Sequence, residues 1–388
     1  MLDGDHGAAL AGALRSVESG EYGTALPILR HLAAGARTAE VRDRARIAGM
    51  QVAARMYDLA TMVELRDLGP AGSAEHGRSL RLLSLVADSM GGSAVAARSL
   101  LDEVNARLDG PLPEYEVRFI AESLALAIAR SGLGTEFFDV LLRVSGMAND
   151  VGAPGLVCSL LIAEAAFRSR SNLESARVAA GRAVDLAVAD GDLRSLPFAL
   201  AQLATAQASL GEPEYSVHAD RLAAFGAAPA VLVADFARAM YALTVGDDEM
   251  ALRYFAGVHD RHCDDTTAPV SWHAELVELL AAGGQFDRAS AVVASLERLV
   301  GLCSIPWLDA ALCRAQGVIA SDATAAAASF SAGVVRYEER GYSIAAARTL
   351  YSHARWLRRA GKPPDEMQAA ARLRFEAAGM RRWATRCS

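Results

Sequence analysis

Between residues 258 and 275 the chain reads VHDRHCDDTTAPVSWHAE, its densest run of chemistry-bearing side chains. His259, His262 and His273 stand among Asp260, Cys263, Asp264 and Asp265. Imidazole, thiolate and carboxylate all bind zinc, and the spacing of His259 and His262 puts both on one helical face. A structural zinc site carries paired ligands at both ends of its loop, and this segment does not. It reads instead as a capped loop joining two helices, and no metal is expected. Acid–base chemistry is the other option. His273, Glu275 and Asp309 would supply it if a closed apolar pocket surrounded them. There is no GxSxG elbow, no HExxH pair and no GxxxxGK[ST] phosphate loop; Lys362 sits in AGKPP with no Ser or Thr after it. No cofactor is expected.

A second set of candidates is scattered over apolar helical segments: Glu122, Glu164, Arg168, Asp235, Arg238, Tyr241, Asp309, Arg314, Arg348, Tyr351 and His353. Taking such groups out of water without partners is costly, so each either pairs with another helix or faces a cavity. If they line a cavity, the binding set is Glu164, Arg168, Asp235, Arg238, Tyr241, Trp272, His273, Arg314, Arg348 and Tyr351. Trp307, Trp356 and Trp383 stand at helical spacings that suit a core.

These residues must be positioned by a repeating element. Gly246 precedes Ala251 by five residues, and so do Gly284 and Ala289, Gly20 and Ala25, Ser171 and Ala176, and Ser321 and Ala326. Weaker copies begin near Arg55, Gly91, Gly132, Gly211 and Gly361, in steps of roughly 35 to 41 residues, the range of helix-turn-helix solenoids. Each copy reads as two helices. In the copy at 284 the first runs from about Ser271 to Ala282, and the second places Phe286, Ala289, Val293, Leu296 and Val300 on one face. The turn glycine ends one helix, Asp or Ser caps the next, and Ala lets that helix pack closely. PAVLVADF (229–236) suits a strand by composition, but its Ala-rich continuation favours helix. The spacing therefore predicts an all-α, right-handed superhelix of about ten tetratricopeptide-like hairpins. It forms a single domain over 1–388, with a sub-division near 150 (1–150 and 151–388) as the alternative. The Pro-containing stretches GPLP (110–113) and APG (153–155) read as loops between helices.

Composition agrees. The chain has 388 residues, 52% hydrophobic and only 6% aromatic, with Ala, the best helix former, dominating the apolar share. No uninterrupted apolar run of about 18 residues predicts a membrane span, and the N-terminus lacks the basic start and apolar core of a secretory signal. Five cysteines, at 158, 263, 303, 313 and 387, include no CxxC pair and fit reduced thiols in a cytoplasmic protein. Net charge is −7, which argues against general nucleic-acid binding; from Gly341 onward it is +7, leaving −14 for the rest. That basic end is either a solvated helix face or a docking surface for an acidic partner.

The last 45 residues carry a resemblance. ARTLYSHARWLRRAGK, then a helix ending RFEAAGM, then Trp383, is similar to the last tetratricopeptide-like hairpin of large ATP-binding LuxR-type regulators of the maltose-regulator kind. Those proteins join an ATPase to a helical sensor and a DNA-reading domain. This chain has no phosphate loop and stops where the DNA-reading domain would begin, so it looks like the sensor or scaffold region alone. The resemblance implies transcription regulation through capture of an effector or partner. The expected function is a non-enzymatic module that holds a small-molecule effector or a protein or peptide partner in its concave groove. The alternative is a regulator-like helical protein recruited as a cyclase or isomerase in specialised metabolism.

Overall fold

The computed structural model describes residues 6–56, 58–91, 93–108, 117, 120, 124, 135–151, 154–265, 270–302 and 306–387. Glu122, Cys303, GPLP and residues 266–269 lie outside them. Among the described residues there are twenty α-helices and no strand. They are α1 (His6–Glu18), α2 (Tyr22–Gly35), α3 (Ala39–Arg55), α4 (Leu59–Arg66), α5 (Ala74–Met90), α6 (Ala94–Leu108), α7 (Thr135–Val151), α8 (Pro154–Arg168), α9 (Leu173–Ala189) and α10 (Leu196–Leu210). There follow α11 (Tyr215–Ala223), α12 (Ala228–Val245), α13 (Asp248–His262), α14 (His273–Ala282), α15 (Phe286–Leu302), α16 (Pro306–Ile319), α17 (Ala323–Glu338), α18 (Ser343–Arg359), α19 (Asp365–Ala377) and α20 (Arg381–Arg386). The fold is all-α and built from helical hairpins. PAVLVADF lies inside α12.

Two compact units result, one within Met1–Ala163 and Ala183–Pro197, the other within Glu164–Arg182 and Phe198–Ser388. In the first, a buried arginine ties the hairpins together. Arg46 on α3 donates to the carbonyls of Leu65 and Gly69, both at 2.6 Å, and to that of Arg66. The free carbonyls at the C-terminal end of α4 thereby gain charged donors. Asp43, one turn earlier on α3, accepts from the Gly72 amide at 2.7 Å and fixes the loop into α5.

In the second unit the turn chemistry is regular. Gly246 adopts φ 93°, and the next amide, Asp247 N–H, donates back to the Ala242 carbonyl at 2.9 Å. Only a residue without Cβ reaches that conformation freely. The Asp247 side chain then caps α13 by accepting from Met250 N–H at 2.9 Å. In both units the alanine five residues beyond the turn is buried: Ala25, Ala176, Ala251, Ala289 and Ala326 are each at most 1% exposed.

The stripe expected on α15 is rotated by part of a turn. Ala289, Val293 and Leu296 are buried as expected, but Val292 and Leu299 complete the buried face. Phe286 is exposed, with the Arg359 guanidinium 5.3 Å from its ring centre. The reason is that 3.6 residues per turn gives an apolar face more than one row wide.

The first helices α14, α16 and α18 pack on one another in order. The last hairpin returns to the start of the unit: Ile344 N–H donates to the Arg170 carbonyl at 3.1 Å, and Leu173 N–H to that of Ala378 at 3.3 Å. α12 is the one helix among those described that is long and apolar enough to cross a membrane. More than half of it is buried inside the protein, and it carries Asp235 and Arg238, as suits a core helix.

Helical glycines separate close packing from mere exposure. A Cβ on Gly317 of α16 would stand 2.9 Å from the buried Phe330 ring, whereas one on Gly257 of α13 meets nothing within 4 Å. Gly257→Ala is expected to stabilise by up to about 1 kcal/mol through helix propensity. Gly317→Ala is expected to destabilise by about 1–3 kcal/mol through overpacking. Urea unfolding of both variants checks the contrast, and equal shifts would contradict the described packing.

Candidate functional site

Five charged side chains meet where α14, α16 and α18 converge. Arg314 on α16, 2% exposed, donates through Nη1 to Glu275 Oε1 at 2.8 Å and through Nη2 to Glu278 Oε2 at 2.7 Å. Its Nε donates to Ser352 Oγ at 2.9 Å. Arg348 Nη1 lies 3.3 Å from Glu275 Oε1, and Arg355 Nη1 donates to Glu278 Oε1 at 3.0 Å. Ser352 Oγ also donates to Glu278 Oε2 at 2.8 Å. The spacing explains the convergence. Glu275 and Glu278 share one face of α14, and Arg348, Ser352 and Arg355 share one face of α18 at i, i+4 and i+7.

Three guanidinium groups thus surround two carboxylates. Burial alone would push Glu278 up, but Arg314 and Arg355 outweigh it and hold its carboxyl down at about 2. Glu275 is likewise lowered, with Arg348 and Arg314 outweighing burial. Arg348 is lowered, because burial and Arg314 outweigh Glu275. Its Nε has no hydrogen-bond partner among the described residues. Carboxylates held this low are poor proton carriers near neutrality. The cluster is built for structure and for anchoring charge.

The Trp272–His273 pair forms a second buried group. The two rings stack at 4.6 Å with 20° between planes, and His259 meets His273 edge-on at 5.7 Å. Trp272 Nε1–H donates to His259 Nδ1 at 3.4 Å. His273 is 2% exposed, and neither ring nitrogen has a hydrogen-bond partner among the described residues. Burial pushes its imidazole down to about 3; His259 adds to this and Glu275 opposes it. His262 lies 3.7 Å from Asp265. Among the described residues no group of three or more His, Cys, Asp or Glu is placed to hold a metal ion.

A third group is half-buried and reaches water. On α12, Asp235 Oδ1 accepts from Arg238 Nη1 at 2.7 Å, and Arg238 Nη2 donates to Asp220 of α11 at 2.6 Å. Asp235 Oδ2 accepts from Arg261 of α13, also at 2.6 Å. The four charges alternate across three helices. Beside them Tyr241 stacks on Tyr215 at 4.4 Å.

The residues expected to line one cavity therefore fall into separate groups. Glu275, Arg314 and Arg348 share the buried cluster; Trp272 and His273 form the stacked pair; Asp235, Arg238 and Tyr241 lie on the half-buried face. Tyr351 packs edge-on against Trp383 at 5.6 Å, and Glu164 pairs with Arg168 within α8 at 2.7 Å. Asp309 is half-buried on α16, and no ion pair or side-chain hydrogen bond joins it to His273 or Glu275 among the described residues. His353 stacks on Phe330 at 4.8 Å. Sequence reasoning missed Ser352 and Arg355, whose helical spacing from Arg348 was the available signal. It also missed Tyr215, Asp220 and Arg261, which lie on second helices. Cys158 and Cys387 are pushed up to about 11 mainly by burial, so both stay protonated at neutral pH.

No protein-family model and no curated protein sequence matches the chain. Solved structures do. A crystal structure of Rap protein complexed with competence and sporulation factor matches with a TM-score of 0.54 at 12% identity, covering 90% of this chain and 99% of that one. The APC/C hetero-tetramer Cut9-Hcn1 covers 98% of this chain and 81% of its own at 15% identity, but its TM-score of 0.33 carries no weight. The first likeness places the fold among helical-repeat proteins.

Two outcomes test the buried groups. Arg314→Met leaves two carboxylates short of their main cation and is expected to cost about 3–5 kcal/mol in urea unfolding. Lys362→Ala, at an exposed position, should stay within about 0.5 kcal/mol. The second outcome concerns pH. The unfolded His273 titrates near 6.5 and the folded one near 3. As pH falls below 6.5 the unfolded chain therefore binds a proton that the folded chain refuses, and stability drops. Glu278 adds a further loss below its ordinary 4.5. His273→Phe keeps the stack and should flatten the fall between pH 6.5 and 5 by up to about 1.4 kcal/mol per pH unit. An unchanged slope would remove His273 from the account.

Proposed function

We propose that this chain is a non-enzymatic helical-repeat module that captures a protein or peptide segment. The observation that carries the reading is the likeness in fold, over 90% of the chain, to a Rap protein crystallised with competence and sporulation factor. The half-buried face of α12 supports it from within. Asp235, Arg238, Asp220 and Arg261 offer alternating acceptors and donors, and the Tyr215–Tyr241 stack adds rigid apolar area. An extended peptide presents complementary groups at short intervals, and stacked tyrosines contribute contact area at little entropic cost.

The narrower reading is that the module is the sensor region of a LuxR-type regulator and controls transcription through its occupant. The C-terminal phrase ARTLYSHARWLRRAGK supports it. On that reading the occupant is a small-molecule effector, and native mass spectrometry of the protein exposed to a metabolite extract would retain its mass.

Peptides selected from a random display library on the full chain test the broader reading. Asp235→Asn with Arg238→Gln is expected to weaken the selected peptides about tenfold, equivalent to about 1.4 kcal/mol. Unchanged affinity would move the site off α12, and a selection yielding no binder would count against peptide capture.

A further inference from the structure

Trp383 on α20 is 3% exposed, and contacts distant in sequence cover it. Its Nε1–H donates to Thr244 Oγ1 on α12 at 3.2 Å, across 139 residues. The Arg348 guanidinium lies 4.7 Å from its ring centre and that of Arg386 lies 5.0 Å away. Tyr351 of α18 and Phe375 of α19 each stand 5.6 Å from it, the first edge-on. A tryptophan held by a hydrogen bond, cationic neighbours and aromatic walls has the features of a binding anchor.

The flanking residues extend the match. Arg382 Cδ lies 2.5 Å from where a Cβ on Gly211 would stand, and Arg386 Nη2 lies 2.9 Å from that point on Gly246. These glycines, at φ 79° and 93°, follow the C-terminal ends of α10 and α12. A Cβ on Gly379, just before α20, would stand 3.7 Å from that of Glu174, and Arg381 lowers the Glu174 carboxyl, after the larger effect of Arg177. A helix that merely covered the last hairpin would need α18 and α19. This one also meets α9, α12 and the turn after α10, through polar and cationic contacts.

We propose that the surface formed by Thr244, Arg348, Tyr351 and Phe375 is a docking site for a short basic segment carrying one tryptophan, occupied in this chain by α20 as an intramolecular ligand. The proposal deepens the peptide-capture reading and rests on it for the existence of a partner. A partner segment of the same arginine–tryptophan chemistry competes with α20 for Thr244 and Arg348. Tethering gives α20 an effective concentration of about millimolar, so a free segment meets an occupied site.

The test needs no outside partner, so its failure is distinct from failure of the peptide-capture reading. A labelled peptide of sequence GMRRWATRCS, residues 379–388, is titrated by fluorescence polarisation into the full wild-type chain and into Trp383→Ala. The variant is expected to bind at least tenfold more tightly than wild type, and the same peptide with alanine for tryptophan should not bind to either chain. A folded variant that binds the peptide no better than wild type overturns the proposal. Hydrogen exchange on the wild-type chain gives an answer even if the variant does not fold. Amides of 381–387 should exchange through an opening not shared with 343–377. Exchange of both segments only together would mean that α20 never leaves its site, and would overturn the proposal as well.

Discussion

The buried guanidinium of Arg314 is the constraint around which the second unit is arranged. A charge removed from water must be surrounded by opposite charge and satisfied hydrogen bonds, or the fold loses several kcal/mol. Arg314 meets that requirement only if Glu275, Glu278 and Ser352 approach from two other helices at once. Helices α14, α16 and α18 therefore have one mutual register. Alanine could not impose it. The Ala-rich faces that bring the hairpins together are nearly smooth, and a shift of one turn would replace one small buried methyl group with another. The ion cluster has no such equivalent neighbour state.

The cluster and the C-terminal helix share one group. Arg348 holds Glu275 through Nη1, and the same guanidinium lies over the Trp383 ring. A planar guanidinium can serve both roles, since it donates at its edge and can stack on an aromatic ring by its face. Arg348 also lies 3.4 Å from the Met240 sulfur on α12. One side chain thus connects α12, α14, α18 and α20, and its remaining cost is the unpartnered Nε.

Most of the fold was legible because repeats repeat their turns. Gly20, Gly246 and Gly284 were marked by an alanine five residues later, and all three have positive φ. Ser171 and Ser321 carry the same alanine without a glycine at the turn. The candidate site was half legible. Polar residues on apolar helices stand out in the sequence, but helical spacing assigns a residue to a face and does not say which helix covers that face. Arg314 and Arg238 look alike in sequence, each an arginine among apolar neighbours. The first is sealed between two glutamates; the second keeps contact with water. Ser352 and Arg355 were overlooked because they lie on a helix already rich in arginine, where only pairing with α14 distinguishes them. Trp383 was read as core, which its burial agrees with, while its partner Thr244 lies too far along the chain for any local pattern to reveal.

This division decides where recognition can reside. A ligand that drew a guanidinium out of the Arg314 cluster would leave Glu275 or Glu278 buried without a cation. That cost, about 3–5 kcal/mol, exceeds the 1.5–3 kcal/mol of a new charged hydrogen bond. The inner charges are therefore committed to the fold. Groups on the α12 face stand differently. Asp220 and Arg261 are largely exposed, so exchanging one partner for another costs them little desolvation, and surface pairs of this kind are held by about 1 kcal/mol or less. Trp383 falls between the two cases. It is buried, but what its departure exposes is a hydroxyl, two aromatic rings and a guanidinium still paired with Glu275, a surface that another tryptophan can refill without unmaking an ion pair.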